Sequence, residues 1–154
     1  MQRPTEYDTL ISKQFFRDER ALPGATETLL QNAQDHLAAF KMLSASRLTK
    51  PALTAAYEGL TQLFRAMFEY REVRPVEGCW STATLVVCTD LGMNVAEQCF
   101  VSVLHASRIP TSRNSSFPSA SPAEARKVAD LLEKYIPLAY RLIHLSWLPT
   151  PHKE

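Results

Sequence analysis

Glycine is scarce in this chain, with four among 154 residues: Gly24, Gly59, Gly78 and Gly92. They are too few and too scattered for the glycine-rich loop whose backbone amides cradle a triphosphate. No Gly-x-Ser-x-Gly elbow presents a nucleophilic serine either. Cysteine is as sparse, and Cys79, Cys88 and Cys99 are an odd number at spacings of nine and eleven. That excludes a Cys-x-x-Cys metal clamp and an even disulfide framework. It predicts buried, reduced thiols packed as small hydrophobes. Long apolar runs are missing too. None exceeds the four residues Leu85-Val86-Val87-Cys88, far short of the roughly 18–20 that a spanning helix needs. No basic stretch followed by an apolar one opens the sequence, so no signal peptide is expected and the chain reads as cytoplasmic, with no membrane partner.

Charge of one sign is also lacking. Seventeen Lys and Arg stand against sixteen Asp and Glu, a formal net charge of +1. Bulk electrostatics therefore do not make this a non-specific polyanion binder, and only a local basic patch could. The four histidines, His36, His105, His144 and His152, never fall three or four residues apart. Helical metal sites usually need that spacing, so no metal and no cofactor are expected. Asp90 reads as a partly exposed residue near a helix end, the alternative being a buried acid with a raised pKa.

What is present is a globular composition, 45% hydrophobic. About 150 residues suit one domain, which buries around 70% of its unfolded surface without disulfides. Helical spacing dominates. Thr5 to Arg20 carries Leu10, Ile11, Phe15 and Phe16 and satisfies either a short helix or an ordered arm, ending at Pro23-Gly24. Leu29, Ala33, Leu37 and Phe40 share a helical face, with Thr26 offered as its cap. Lys50-Pro51 opens a third segment with the strongest stripe in the chain: Leu53, Tyr57, Leu60, Phe64, Met67 and Phe68. Arg71 to Gly78 is expected as a turn or loop.

Trp80 to Leu91 has strand-favouring threonines and valines, but nothing nearby offers a second strand, and a lone buried strand leaves its backbone unsatisfied. It is read as a buried helix ended by Gly92. Asn94 and Glu97 then stand at capping-box spacing for a helix to about Ser107. Ser121, Pro122 and Glu124 open a last helix through Val128, Leu132, Tyr135 and Ala139, within which Pro137 predicts a kink or break. The expectation is an all-α, single-domain bundle of four to five helices. Residues 1–24 form an arm or short helix, 25–148 the bundle and 149–154 a disordered tail.

Between the last two helices lies Arg108-Ile-Pro-Thr-Ser-Arg113-Asn114-Ser-Ser-Phe117. Arg108 and Arg113 offer rigid forks of donors suited to phosphate, Asn114 a directed amide, and Phe117 a ring for stacking on a base. The same residues could instead brace the loop against neighbouring helix ends. These four are the candidate ligand- or partner-binding residues, and no catalytic residue is proposed.

In order along Thr26 to Ile143, several features resemble the HEPN superfamily of small all-α domains. They are the paired helices with Ala55-Ala56-Tyr57, the Gly78 loop, Arg113-Asn114 followed by an aromatic, and the capped helix Ser121-Pro-Ala-Glu-Ala-Arg. The resemblance implies a homodimer. It also implies, for members that cleave RNA, an arginine and a histidine separated by four to six intervening residues, the one steadying phosphate and the other moving the proton of the attacking 2′-hydroxyl.

No arginine here has a histidine at that spacing. After Arg113 the positions are Pro118, Ser119 and Ala120; after Arg108 they are Arg113, Asn114 and Ser115. His105 precedes the loop and reaches it only if the helix end turns back. The expected function is thus a non-catalytic, dimeric binding module for a protein partner or a nucleotide or RNA, of the kind found in toxin–antitoxin, defence or mobile-element systems. The alternatives are a metal-independent endoribonuclease with a rearranged site, and a structural or adaptor bundle. The dimer finds further support in Phe64, Phe68, Trp80 and Phe100, more aromatic surface than one core readily hides.

Overall fold

The computed structural model describes residues 3–107 and 120–145. Among these stand six helices: α1 (Thr5–Ser12), α2 (Ala25–Ala45), α3 (Thr49–Arg71), α4 (Trp80–Asp90), α5 (Val95–Ala106) and α6 (Pro122–Leu142). Two three-residue strands, β1 (Phe16–Asp18) and β2 (Val73–Pro75), pair antiparallel in the register Phe16 to Pro75 and Asp18 to Val73. The fold is all-α in class, as the helical spacing requires, and the 21- to 23-residue helices α2, α3 and α6 form its body.

α3 is the centre. Its Leu53, Ala56, Tyr57, Leu60, Leu63, Phe64, Met67 and Phe68 are all buried, at steps of three and four that leave little of the helix facing water. α2 and α6 both pack against it, and α2 and α6 also touch each other. The three meet at Gly59. A Cβ there would stand 2.8 Å from Leu132 Cδ1, 3.1 Å from His36 Cβ and 3.4 Å from the carbonyl oxygen of Ala33. No helix of the described residues is long and apolar enough to cross a membrane.

Several local expectations are corrected. α2 begins at Ala25, one residue before Thr26, and Gly24 takes the cap position at φ +76° without any side-chain cap. The glycine is needed because the turn after Pro23 requires a left-handed residue. α3 starts at Thr49, so Pro51 lies inside the first turn, where its missing N–H would have had no helical partner anyway. Of the kink or break expected at Pro137, the break does not occur: α6 is one helix through it. The acceptor that Pro137 deprives is on exposed Glu133, while Tyr135, Ile136 and Ala139 anchor the other face in the core.

The segment expected as a loop contains β2. Glu72, in the left-handed region at φ 58°, reverses the chain after α3 and lays it beside β1. Three residues are too few to show an alternating pattern.

Two predicted helix starts hold their caps. Asn94 Oδ1 accepts from the Glu97 amide at 2.8 Å, and Glu97 Oε1 accepts from the Asn94 amide at 3.0 Å, a complete box. Ser121 Oγ accepts from the Glu124 amide at 3.1 Å, the hydroxyl half of a Ser-x-x-Glu capping box, whose other half does not form.

The N-terminal segment packs on its own bundle. Tyr7 is fully buried and Phe16 nearly so. Their rings stack at 5.7 Å, and Phe16 meets Phe68 edge-on at 5.6 Å. Beneath them Arg71 and Asp90 form a bidentate pair at 2.8 and 2.9 Å, with side chains 7% and 6% exposed. Tyr7 donates to the same carboxylate at 2.7 Å. Asp90 is partly exposed as a residue and ends α4, as expected, but its side chain is turned inward and fully engaged, because Arg71 compensates its charge. The residues expected as a disordered tail, 149–154, lie outside the described residues.

Candidate functional site

Arg108, Arg113, Asn114 and Phe117 all lie outside the described residues, so the structure brings none of them to a site. It does show what surrounds the point where that stretch leaves α5. His105, three positions before Arg108, has its ring stacked on Tyr57 of α3 and on Trp80 of α4, each with centroids 6.0 Å apart. Its Nδ1 is hydrogen-bonded to the Tyr57 hydroxyl. Trp80 in turn meets Phe68 edge-on at 5.6 Å. The result is a continuous row along α3: Tyr57, His105, Trp80, Phe68. Trp80 sits there because Gly78, at φ +86°, turns the chain out of β2 into α4.

At the Phe68 end of the row a groove of about 400 Å³ opens between α3 and β2, within the size range of small-ligand sites. Its apolar wall is Leu29, Phe68, Val73, Pro75 and Trp80; its polar residues are Arg65, Arg74, Glu19 and Glu69. Three of those four are committed to the protein. Arg74 pairs with Glu19 at 2.7 Å, and Glu69 accepts the Leu22 amide at 2.6 Å. Arg65 is exposed and makes no ion pair within 4 Å among the described residues. Sequence reasoning missed this groove. Arg65 gives no signal on a helix whose stripe is read for its apolar members, and the short β2 that supplies the far wall is invisible to periodicity.

The chemistry such a groove offers is binding. A flat ring can lie against half-buried Trp80, which is backed by buried Phe68, while Arg65 reaches an anion at its edge. Among the described residues no histidine lines it, and the two carboxylates that do are engaged by Arg74 and by a backbone amide. The described residues contain no group of three or more His, Cys, Asp or Glu able to hold a metal ion.

A second, shallower groove of about 270 Å³ lies between α5 and α6. In it Lys127 stands over the Phe100 ring at 4.7 Å. Lys134 is tied to Glu97 there at 3.1 Å, and Tyr135 donates to the same carboxylate at 2.6 Å. Burial alone would raise the Glu97 pKa, but these bonds and the Asn94 amide outweigh it and hold the carboxyl below its ordinary range.

The cysteines divide by place. Cys88 is buried, and burial pushes its thiol up to about 12. Cys79 is half-buried, and Cys99 is exposed, against the expectation of three buried thiols. α5 turns Val101 and Leu104 to the core and leaves Cys99 on the other side. Set beside family models, curated proteins and solved structures, the chain matches none. Any functional reading therefore stands on these residues and on the likeness quoted above.

Proposed function

We propose that the protein is a non-catalytic, HEPN-like helical binding module, working as a dimer, that takes a nucleotide or a single-stranded RNA segment. The observation that carries this is Arg65, an arginine without a protein ion-pair partner among the described residues, on the rim of a groove walled by Phe68 and Trp80. Unstacked bases are recognised by aromatic faces together with guanidinium groups. The Arg108–Phe117 stretch, with two arginines, an asparagine and an aromatic, begins three positions after His105 in sequence, and the His105 ring stacks on Trp80 of the groove wall.

The non-catalytic reading rests on two points. No arginine is followed by histidine at cleaving-family spacing. His105, the one histidine near that stretch in sequence, has its ring engaged by Tyr57 and Trp80.

Fluorescence anisotropy with a short labelled single-stranded RNA, read beside a denaturing gel of the same mixture, tests the proposal. Wild type binds without cutting. Arg65→Ala weakens binding about tenfold, as loss of one charged hydrogen-bond donor should, and Arg113→Ala weakens it further. No binding by wild type would overturn the RNA reading. Cleavage that disappears in Arg113→Ala or His105→Ala would establish the endoribonuclease instead.

A further inference from the structure

α5 is built inside out for a surface helix. Its outward positions are Val95, Ala96, Cys99, Ser102, Val103 and Ala106, and none is charged. Val95 is 77% exposed and Val103 68%. The titratable groups of the helix other than Cys99 face the rest of the protein: Glu97 holds Tyr135 and Lys134, and the His105 ring lies between Tyr57 and Trp80. Core-directed Val101 and Leu104 complete a helix that is apolar on both sides. Such a helix is normally covered on both sides.

We infer that a second copy of this chain covers it, the two α5 helices crossing antiparallel about a two-fold axis at Cys99. The stripe reads identically in both directions, Val95-x-x-x-Cys99-x-x-x-Val103. An isologous contact needs that self-complementarity, residue i meeting j and j meeting i. Val95 then lies against Val103 of the partner subunit, and the two Cys99 side chains face each other on the axis. The small neighbours Ala96, Ser102 and Ala106 let the backbones approach closely. An uncharged face also meets its own copy without like-charge repulsion, whereas it offers nothing to a nucleic acid.

A stable interface buries roughly 800 Å² per partner, more than one short stripe supplies. To reach that area the proposed contact also takes in Ser81, Leu85 and Thr89, the exposed and equally uncharged positions of α4, which packs against α5. The aromatics invoked from sequence do not: Phe64 and Phe68 are buried, and no aromatic is among the exposed large hydrophobics of the described residues. This inference rests on the dimeric part of the reading above and leaves the RNA part independent.

The test uses the full chain. Light scattering at micromolar concentration gives a dimer mass for wild type and a monomer mass for Val103→Glu with unchanged circular dichroism. Copper-phenanthroline oxidation, in which two copper(II) ions each take one electron and the two thiols lose their protons, cross-links wild type and Cys79→Ser but not Cys99→Ser. A wild-type monomer would overturn both the dimer and this surface. A dimer that survives Val103→Glu and forms no Cys99 link would overturn the α5 surface alone.

Discussion

Asp90 is where the N-terminal segment, α3 and α4 are tied together. Its two oxygens receive Arg71 twice and Tyr7 once, and the Arg71 backbone carbonyl accepts in turn from Arg3 at 2.9 Å. Removing the carboxylate charge would strand a buried guanidinium. Asp90→Asn should therefore cost about 3–5 kcal/mol, whereas Arg71→Met with Asp90→Leu should cost far less, since an apolar pair of similar volume often replaces a buried ion pair without loss. Urea denaturation of the single and double variants decides this.

Glu97 makes a different prediction. Its folded pKa is depressed, because Tyr135, the Asn94 amide and Lys134 outweigh the opposing effect of burial. The unfolded chain holds that proton more tightly, near the ordinary glutamate value of about 4.3. Its stabilisation is therefore complete above that value and is lost as pH falls through the lower folded one. Wild type should unfold at higher denaturant than Glu97→Gln near neutral pH, and the gap should close in acid. A gap unchanged by pH would mean that the carboxylate charge contributes nothing.

At the scale of elements, Gly59 shows how closely three helices are fitted. Alanine normally stabilises a helix interior by about 1 kcal/mol over glycine. Here the added methyl would press on Leu132, His36 and the Ala33 carbonyl, and overpacking costs about 1–3 kcal/mol. Gly59→Ala should lower the thermal midpoint despite its helix propensity, and a rise would show that α2 and α6 can part at little cost. The long helices were legible because each carries an apolar stripe of three turns or more, and α4 because a lone buried strand has no hydrogen-bond partners.

What was not legible depends on contacts distant in sequence. β1 and β2 are three residues each and exist through pairing across more than fifty positions. Asp90 was legible as a helix-end acid but not as an ion-pair member, because nothing local announces Arg71, nineteen residues earlier. Of the candidate site, the sequence singled out the Arg108–Phe117 stretch but not the groove at Arg65, whose walls come from α2, α3, β2 and α4 at once.

For the molecule as a whole, the question is whether the N-terminal residues are an appendage or part of one cooperative unit. A division at residues 24 and 25 by sequence pattern treats them as an arm, and the geometry counts them in the core. Tyr7 and Phe16 are at most 2% exposed, and full burial of such a side chain is worth roughly 1.5–3 kcal/mol. Two of them, with the Tyr7 bond to Asp90, approach the lower end of the roughly 5–15 kcal/mol by which domains are stable. β1 would also leave β2 unpaired, and Phe68 would lose the ring that packs on it.

Deleting residues 1–18 should therefore weaken the entire bundle rather than remove a separable piece. Wild type should show one urea transition. The truncated chain should show one transition at much lower urea, with a smaller slope because less surface is exposed on unfolding. Asp90→Asn should cost less in the truncated chain than in the full one, because the two changes share the Tyr7 contact and such neighbours do not add. An unchanged midpoint after truncation, or a separate early transition in the full chain, would show that residues 1–18 fold onto the bundle without supporting it.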